Sequence, residues 1–179
     1  MTIFRRTPVG VVASGVLALW LFCALGAVTY AAPITNELML INAKTGKCLT
    51  IEGGVDPSNN RRAVQFDCDS DPSRRWTLNE MGGNIFQIKN VQTGKCLTIA
   101  GGESSDDNIE SVQFDCDNHP SRTWRVNDVT GSGINQIRNV HTNKCLTIAG
   151  GTLDTNSLPT VQFRCDTDQS RRWTIRLKL

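Results

Sequence analysis

Short runs of alternating apolar and polar residues cover most of this chain, and the same run returns three times. Leu49 and Ile51 alternate with Cys48 and Thr50; Leu97 and Ile99 with Cys96 and Thr98; Leu146 and Ile148 with Cys145 and Thr147. Alternation at every second position describes a strand with one face in a core, so Thr50, Thr98 and Thr147 are expected to face away from it. An earlier strand is predicted at Leu38-Met39-Leu40-Ile41-Asn42, with counterparts at 86–90 and 135–139. Gly46, Gly94 and Asn143 occupy the turn between the two strands, and both residue types tolerate positive φ. Glycine pairs (Gly53-Gly54, Gly101-Gly102, Gly150-Gly151) end the second strand. Polar loops at 55–63, 103–111 and 152–160 follow, and they differ most between copies. Val64-Gln65-Phe66 and its copies predict a third strand. A fourth holds Trp76, Trp124 or Trp173, with Leu78, Val126 or Ile175 in phase two residues on. No segment after Pro33 keeps a helical period for three turns. The pattern predicts an all-β protein of three units, each of about four short strands.

The register of the copies is strict. First cysteines stand at 48, 96 and 145, second cysteines at 68, 116 and 165, and tryptophans at 76, 124 and 173. Such a period governs the fold. Three units are too few to close a propeller, and a solenoid calls for distinct capping repeats. A closed threefold assembly fits, since closure removes exposed strand edges. Repeats are expected at about 36–81, 82–131 and 132–179, with Leu49, Ile51, Trp76, Leu78 and their copies buried around one axis.

The N-terminus changes the charge count. Arg5 and Arg6 precede an uncharged apolar run to about Ala32 that ends in small residues, the form of a secretory signal peptide. Cleavage is expected after Ala31, giving a signal peptide at 1–31 and a mature domain at 32–179; the alternative is an uncleaved membrane anchor. Removing two arginines from 19 Lys+Arg leaves 17 against 17 Asp+Glu. A neutral domain gives no argument for nucleic acid or an acidic membrane. Beyond Cys23 in the apolar run, six cysteines remain, two per repeat. In a secreted chain they read as a disulfide framework, and three equivalent units pair most simply within themselves: Cys48–Cys68, Cys96–Cys116 and Cys145–Cys165. With no C-x-x-C and only His119 and His141 as imidazoles, zinc is not expected.

K-C-L-x-I-x-G-G, then V-Q-F-x-C, then x-x-W, in three co-registered copies, resembles the ricin B-type lectin domain in a form seen in secreted bacterial proteins. The resemblance spans about Thr35 to Leu179. It implies a β-trefoil with three pseudo-equivalent sugar pockets and no metal or cofactor. The family's sugar-binding aspartate falls at Thr50, Thr98 and Thr147, where a hydroxyl stands in place of a carboxylate. Its stacking aromatic falls at Phe66, Phe114 and Phe163; the shared parity of Val64 and Phe66 reads instead as an inward, core-facing pair. The asparagine and glutamine before the family tryptophan become Ser73-Arg74, Ser121-Arg122 and Ser170-Arg171. These arginines have two readings: ion pairs with Asp69, Asp117 and Asp166, or planar donors for hydroxyls or a sugar carboxylate. The tryptophans are core in the family.

The function implied is a secreted, non-catalytic carbohydrate-binding protein with up to three weak sites. The alternative is a trefoil that binds a protein, as an inhibitor or toxin-associated subunit does, through loops such as 56–62 or 103–110. Enzyme motifs are absent: there is no G-x-S-x-G and no H-E-x-x-H after residue 31. Asp67/Asp69 and Asp115/Asp117 could pose as carboxylate pairs, but Arg164 replaces the first aspartate in the third copy.

Overall fold

The computed structural model describes residues 36–128, 130–131 and 133–177. The expected signal peptide at 1–31 lies outside them. Among the described residues twelve strands run in order: β1 (Leu38–Asn42), β2 (Cys48–Ile51), β3 (Ala63–Phe66), β4 (Trp76–Gly82), β5 (Ile85–Asn90), β6 (Cys96–Ile99), β7 (Ser111–Phe114), β8 (Trp124–Asp128), β9 (Ile134–Asn139), β10 (Cys145–Ile148), β11 (Thr160–Phe163) and β12 (Trp173–Leu177). A single 3-10 turn precedes each tryptophan strand: Pro72–Arg74, Pro120–Arg122 and Gln169–Arg171.

Antiparallel pairing runs from β1 to β4, β5, β8, β9, β12 and back to β1, closing a six-stranded barrel. The hairpins β2–β3, β6–β7 and β10–β11 stand off that barrel, one per repeat, and bridges such as Arg62–Val112 and Glu110–Val161 link them to one another. This is the closed threefold assembly expected from the repeat, in the β-trefoil form that the family resemblance implies.

Each hairpin forms because two alternating runs meet across a turn, and its register decides which residues share a face. Leu49 pairs Gln65, Thr50 pairs Val64, and Ile51 pairs Ala63. Cross-strand partners lie on one face. Leu49, Ile51 and Ala63 therefore enter the core with Trp76 and their counterparts, while Val64 and Phe66 turn outward with Thr50. The inward reading is corrected for the phenylalanines, since Phe66, Phe114 and Phe163 end their strands only partly buried, whereas Val64 stays buried at 2% exposure, outside the central cluster. Core tryptophans are fully enclosed, and each indole donates to the carbonyl of the core leucine in its own repeat, Trp76 to Leu49 at 2.9 Å, Trp124 to Leu97 at 2.8 Å and Trp173 to Leu146 at 3.0 Å. Leu78 and Ile175 pack against this cluster but are only partly buried. Gly46, Gly94 and Asn143 adopt φ of 70°, 69° and 59°, as the turns require.

Disulfides join Cys48–Cys68, Cys96–Cys116 and Cys145–Cys165, each within one repeat. On the chain-entropy account each contributes about 3 kcal/mol by restricting the unfolded chain.

Candidate functional site

Outside the core, every repeat builds a pocket from the outer face of its hairpin, its glycine pair and its 3-10 turn. The first is lined by Thr50, Gly54, Phe66, Ser73 and Arg74 among others. The second has Thr98, Gly102, Phe114, Ser121 and Arg122; the third has Thr147, Gly151, Phe163, Ser170 and Arg171. All twelve residues expected at sugar sites thus come together, four to a pocket. The cavities measure about 230, 190 and 280 Å³ in chain order, below the roughly 300 Å³ at which pockets begin to enclose drug-sized ligands.

Their roles differ from the expected ones. Thr50, Thr98 and Thr147 do turn from the core, yet they are only 3%, 3% and 2% exposed. Each hydroxyl is already committed inside the protein: Thr50 Oγ1 donates to Ser73 O at 3.1 Å, Thr98 to Ser121 O at 3.0 Å and Thr147 to Ser170 O at 3.0 Å. The serine hydroxyls lie as close, at 3.0–3.1 Å. These threonines form pocket floors and tie the hairpin to the 3-10 turn; they are not open donors. The second glycine of each pair lets the serine approach, since a Cβ on Gly102 (φ 74°) would stand 3.2 Å from Ser121 Oγ.

Arginine and phenylalanine act as one unit. The guanidinium carbons of Arg74, Arg122 and Arg171 stand 4.6, 4.4 and 4.5 Å from the ring centroids of Phe66, Phe114 and Phe163. Aspartates after the second cysteines hold those arginines, Asp69 at 3.2 Å, Asp117 at 2.8 Å and Asp166 at 3.1 Å, so the ion-pair reading is found in every copy. A planar cation over an aromatic face is attractive. It also takes up part of the ring surface, and over Phe163 a second guanidinium, that of Arg164, stands 5.2 Å from the centroid.

Sequence reasoning missed several groups. Asp71 and Asp168 line the first and third pockets as N-caps of the 3-10 turns, accepting from Ser73 N and Ser170 N at 2.8 Å. Hydrogen bonds from Ser73 and Ser170, with Arg74 and Arg171 nearby, hold both carboxyls below their ordinary range. At the same place in the second repeat stands His119, whose Nδ1 accepts from Ser121 N at 3.3 Å and lies 2.8 Å from Ser121 Oγ. Its Nε2 stands 3.3 Å from Glu103, whose other oxygen lies 3.5 Å from His141 Nε2. Glu103, His119 and Ser121 line up like a hydrolase relay. However, Ser121 is 1% exposed, and Ser73 and Ser170 make the same contacts to their threonines without any histidine.

The pockets also cross repeat boundaries. Asn60 from the first loop lines the second pocket, Asn108 from the second loop lines the third, and Ser157 from the third loop lines the first. Buried glutamines place them. Gln113 Nε2 donates to Asp56 O and Ser58 O; Gln162 to Ser104 O and Asp106 O; Gln65 to Leu153 O and Thr155 O, all at 2.7–3.0 Å. Each glutamine is positioned in turn by Thr45, Thr93 or Thr142 of its own repeat. The positive φ of Asn60, Asn108 and Ser157 (66–68°) marks the bend that brings the loop in. Asparagine and serine after polar runs were the available signal, but not which pocket they serve.

A threefold closed barrel with one hairpin and one shallow pocket per repeat defines a β-trefoil of the lectin type. The sequence profile of the ricin-type beta-trefoil lectin domain matches residues 36–173, and the chain belongs to that family. No curated protein matches the sequence. Among solved structures it is similar to the designed threefold-symmetric protein ThreeFoil, with TM-score 0.75, 19% identity, and 80% of this chain and 99% of that one covered. It is also similar to an exo-beta-1,3-galactanase from Clostridium thermocellum, with TM-score 0.76 and 24% identity, where 83% of this chain matches 31% of that one. The Macrolepiota procera ricin B-like lectin, solved with lactose, aligns with TM-score 0.67 and 17% identity over 83% of this chain and all of that one.

Proposed function

We propose that this is a non-catalytic carbohydrate-binding protein with up to three saccharide sites, one in each pocket. The supporting observation is the triplicate pocket itself, in which a partly exposed phenylalanine, an arginine and a hydroxyl floor recur at the positions the lectin family uses. An aromatic edge or face suits the C–H side of a pyranose, and neighbouring polar groups suit its hydroxyls. Shallow sites of this kind bind weakly, with Kd on the order of 1 mM. Three on one rigid body raise avidity for a polysaccharide by roughly 10²-fold or more where spacing permits.

The basic start, apolar run and even cysteine count support secretion after cleavage near Ala31. Glycan-array and polysaccharide pull-down assays test the binding; silence on every glycan at high protein density overturns it. Val55 and Leu153, 72% and 55% exposed on loops that follow the glycine pairs, favour a second reading, a protein partner docked on those loops. Swapping a whole loop cannot separate the two readings, because loop residues complete the pockets. Val55→Ser with Leu153→Ser can: it removes an apolar dock and leaves the sugar pockets intact.

A further inference from the structure

The three pockets share a plan but not a charge. Arg74 faces two carboxylates, Asp69 at 3.2 Å and Asp71 at 3.4 Å, and Arg171 faces Asp166 at 3.1 Å and Asp168 at 3.8 Å. Arg122 faces Asp117 at 2.8 Å, and His119 takes the place of the second aspartate. A second departure accompanies the first. Where the other loops begin with Val55 and Thr152, this one begins with Glu103, and its carboxylate reaches His119 Nε2 at 3.3 Å and His141 Nε2 at 3.5 Å. The only two histidines of the chain therefore converge on one carboxylate at the rim of one pocket.

The chemistry of that rim differs from its counterparts. Because His119 Nδ1 accepts from the Ser121 amide, the neutral ring carries its proton on Nε2 and presents a donor. In the first and third pockets Asp71 and Asp168 present acceptors instead. The second rim is thus built to receive an acceptor group, and a carboxylate already fits between the two rings. Its present occupant is a carboxylate on a side chain that is 73% exposed and free to swing outward. Other charges near His119 are few: Asp117, whose Oδ1 accepts from the His119 amide, is engaged with Arg122, and the His141 ring lies 5.8 Å away, centroid to centroid.

We infer that the second pocket is specialised for a saccharide bearing a carboxylate, a uronic acid residue, whose anion displaces Glu103 from between His119 and His141. The inference rests on the saccharide-binding reading of the pockets and adds a ligand class to one of them. Glu103 acts as an internal competitor for that ligand.

The experiment is a titration of the protein with galacturonate, glucuronate, galactose and glucose, followed through backbone amide shifts of Gly54, Gly102 and Gly151, which report the three pockets separately. The expected result is that a uronate moves Gly102 and leaves Gly54 and Gly151 largely unmoved. The affinity should rise roughly three- to tenfold in Glu103→Gln. His119→Asp, which copies the first and third repeats, should abolish the uronate response. Equal uronate shifts in all three pockets, no uronate shift at Gly102, or a Glu103→Gln protein that binds no better overturns the inference. If neutral sugars still move Gly54 or Gly151, the lectin reading stands without it; if no saccharide moves any of the three amides, that reading falls as well.

Discussion

The Thr98 side chain lies in the second pocket with its hydroxyl already spent, 3.0 Å from Ser121 O and 3.1 Å from Ser121 Oγ. A position that outward alternation marks as a sugar contact is, in energetic terms, a buried strut. Thr98→Val should therefore lower stability rather than leave it unchanged, by about 1 kcal/mol, since Ser121 O keeps a second donor in Asn139 Nδ2 at 2.7 Å. Thr50→Val and Thr147→Val should match it. Urea unfolding checks this; unchanged midpoints would return the hydroxyls to the solvent.

The core tryptophans carry the largest single-residue effect. Trp124→Ala removes a fully buried indole and leaves the Leu97 carbonyl without its donor. A loss of about 3–5 kcal/mol is expected, and equivalent losses at Trp76 and Trp173. Calorimetry of the three variants tests whether the repeats are energetically alike.

Acid should act unevenly. Asp71 and Asp168 have folded-state values held down by the serine hydrogen bonds. Their contribution is complete above the unfolded carboxylate range, near pH 4, and is lost as pH falls through the lower folded values. Asp71→Asn with Asp168→Asn keeps an acceptor but removes the titration. That variant should be less stable at pH 7 and show a shallower loss of melting temperature below pH 4. An unchanged acid limb would mean the two caps contribute nothing to it.

The glutamine clamps make a prediction at a distance. Gln113→Ala should release residues 56–60 of the preceding repeat, where its amide holds two carbonyls. Hydrogen exchange should accelerate at Asn60, whose amide donates to Gln113 O, more than in the 103–111 loop of its own repeat. The reverse pattern would show that each loop is held locally.

Much of this was legible in the chain. The period, the turn residues at Gly46, Gly94 and Asn143, the cysteine pairs and the core tryptophans follow from spacing and alternation alone. Phe66 was misread as inward because parity within one strand fixes two faces but not which is buried; the register against Leu49 and Ile51 decides that. The role of Thr50 was hidden for a related reason, since alternation reports direction and not what lies there, in this case Ser73. Asp71 and His119 gave no local signal, and Asn60 gave only its place after a polar run. The first two gain meaning only as caps of a three-residue turn, and the third only through a clamp from the next repeat.

That clamp changes what a mutation in this gene can alter. Because Asn60 belongs to one repeat and serves the pocket of the next, drift in the first loop is felt by the second site, drift in the second by the third, and drift in the third by the first. Heredity and recognition are thus offset by a third of a turn. A single repeat taken alone therefore holds no complete pocket, and each site is finished only by its neighbour.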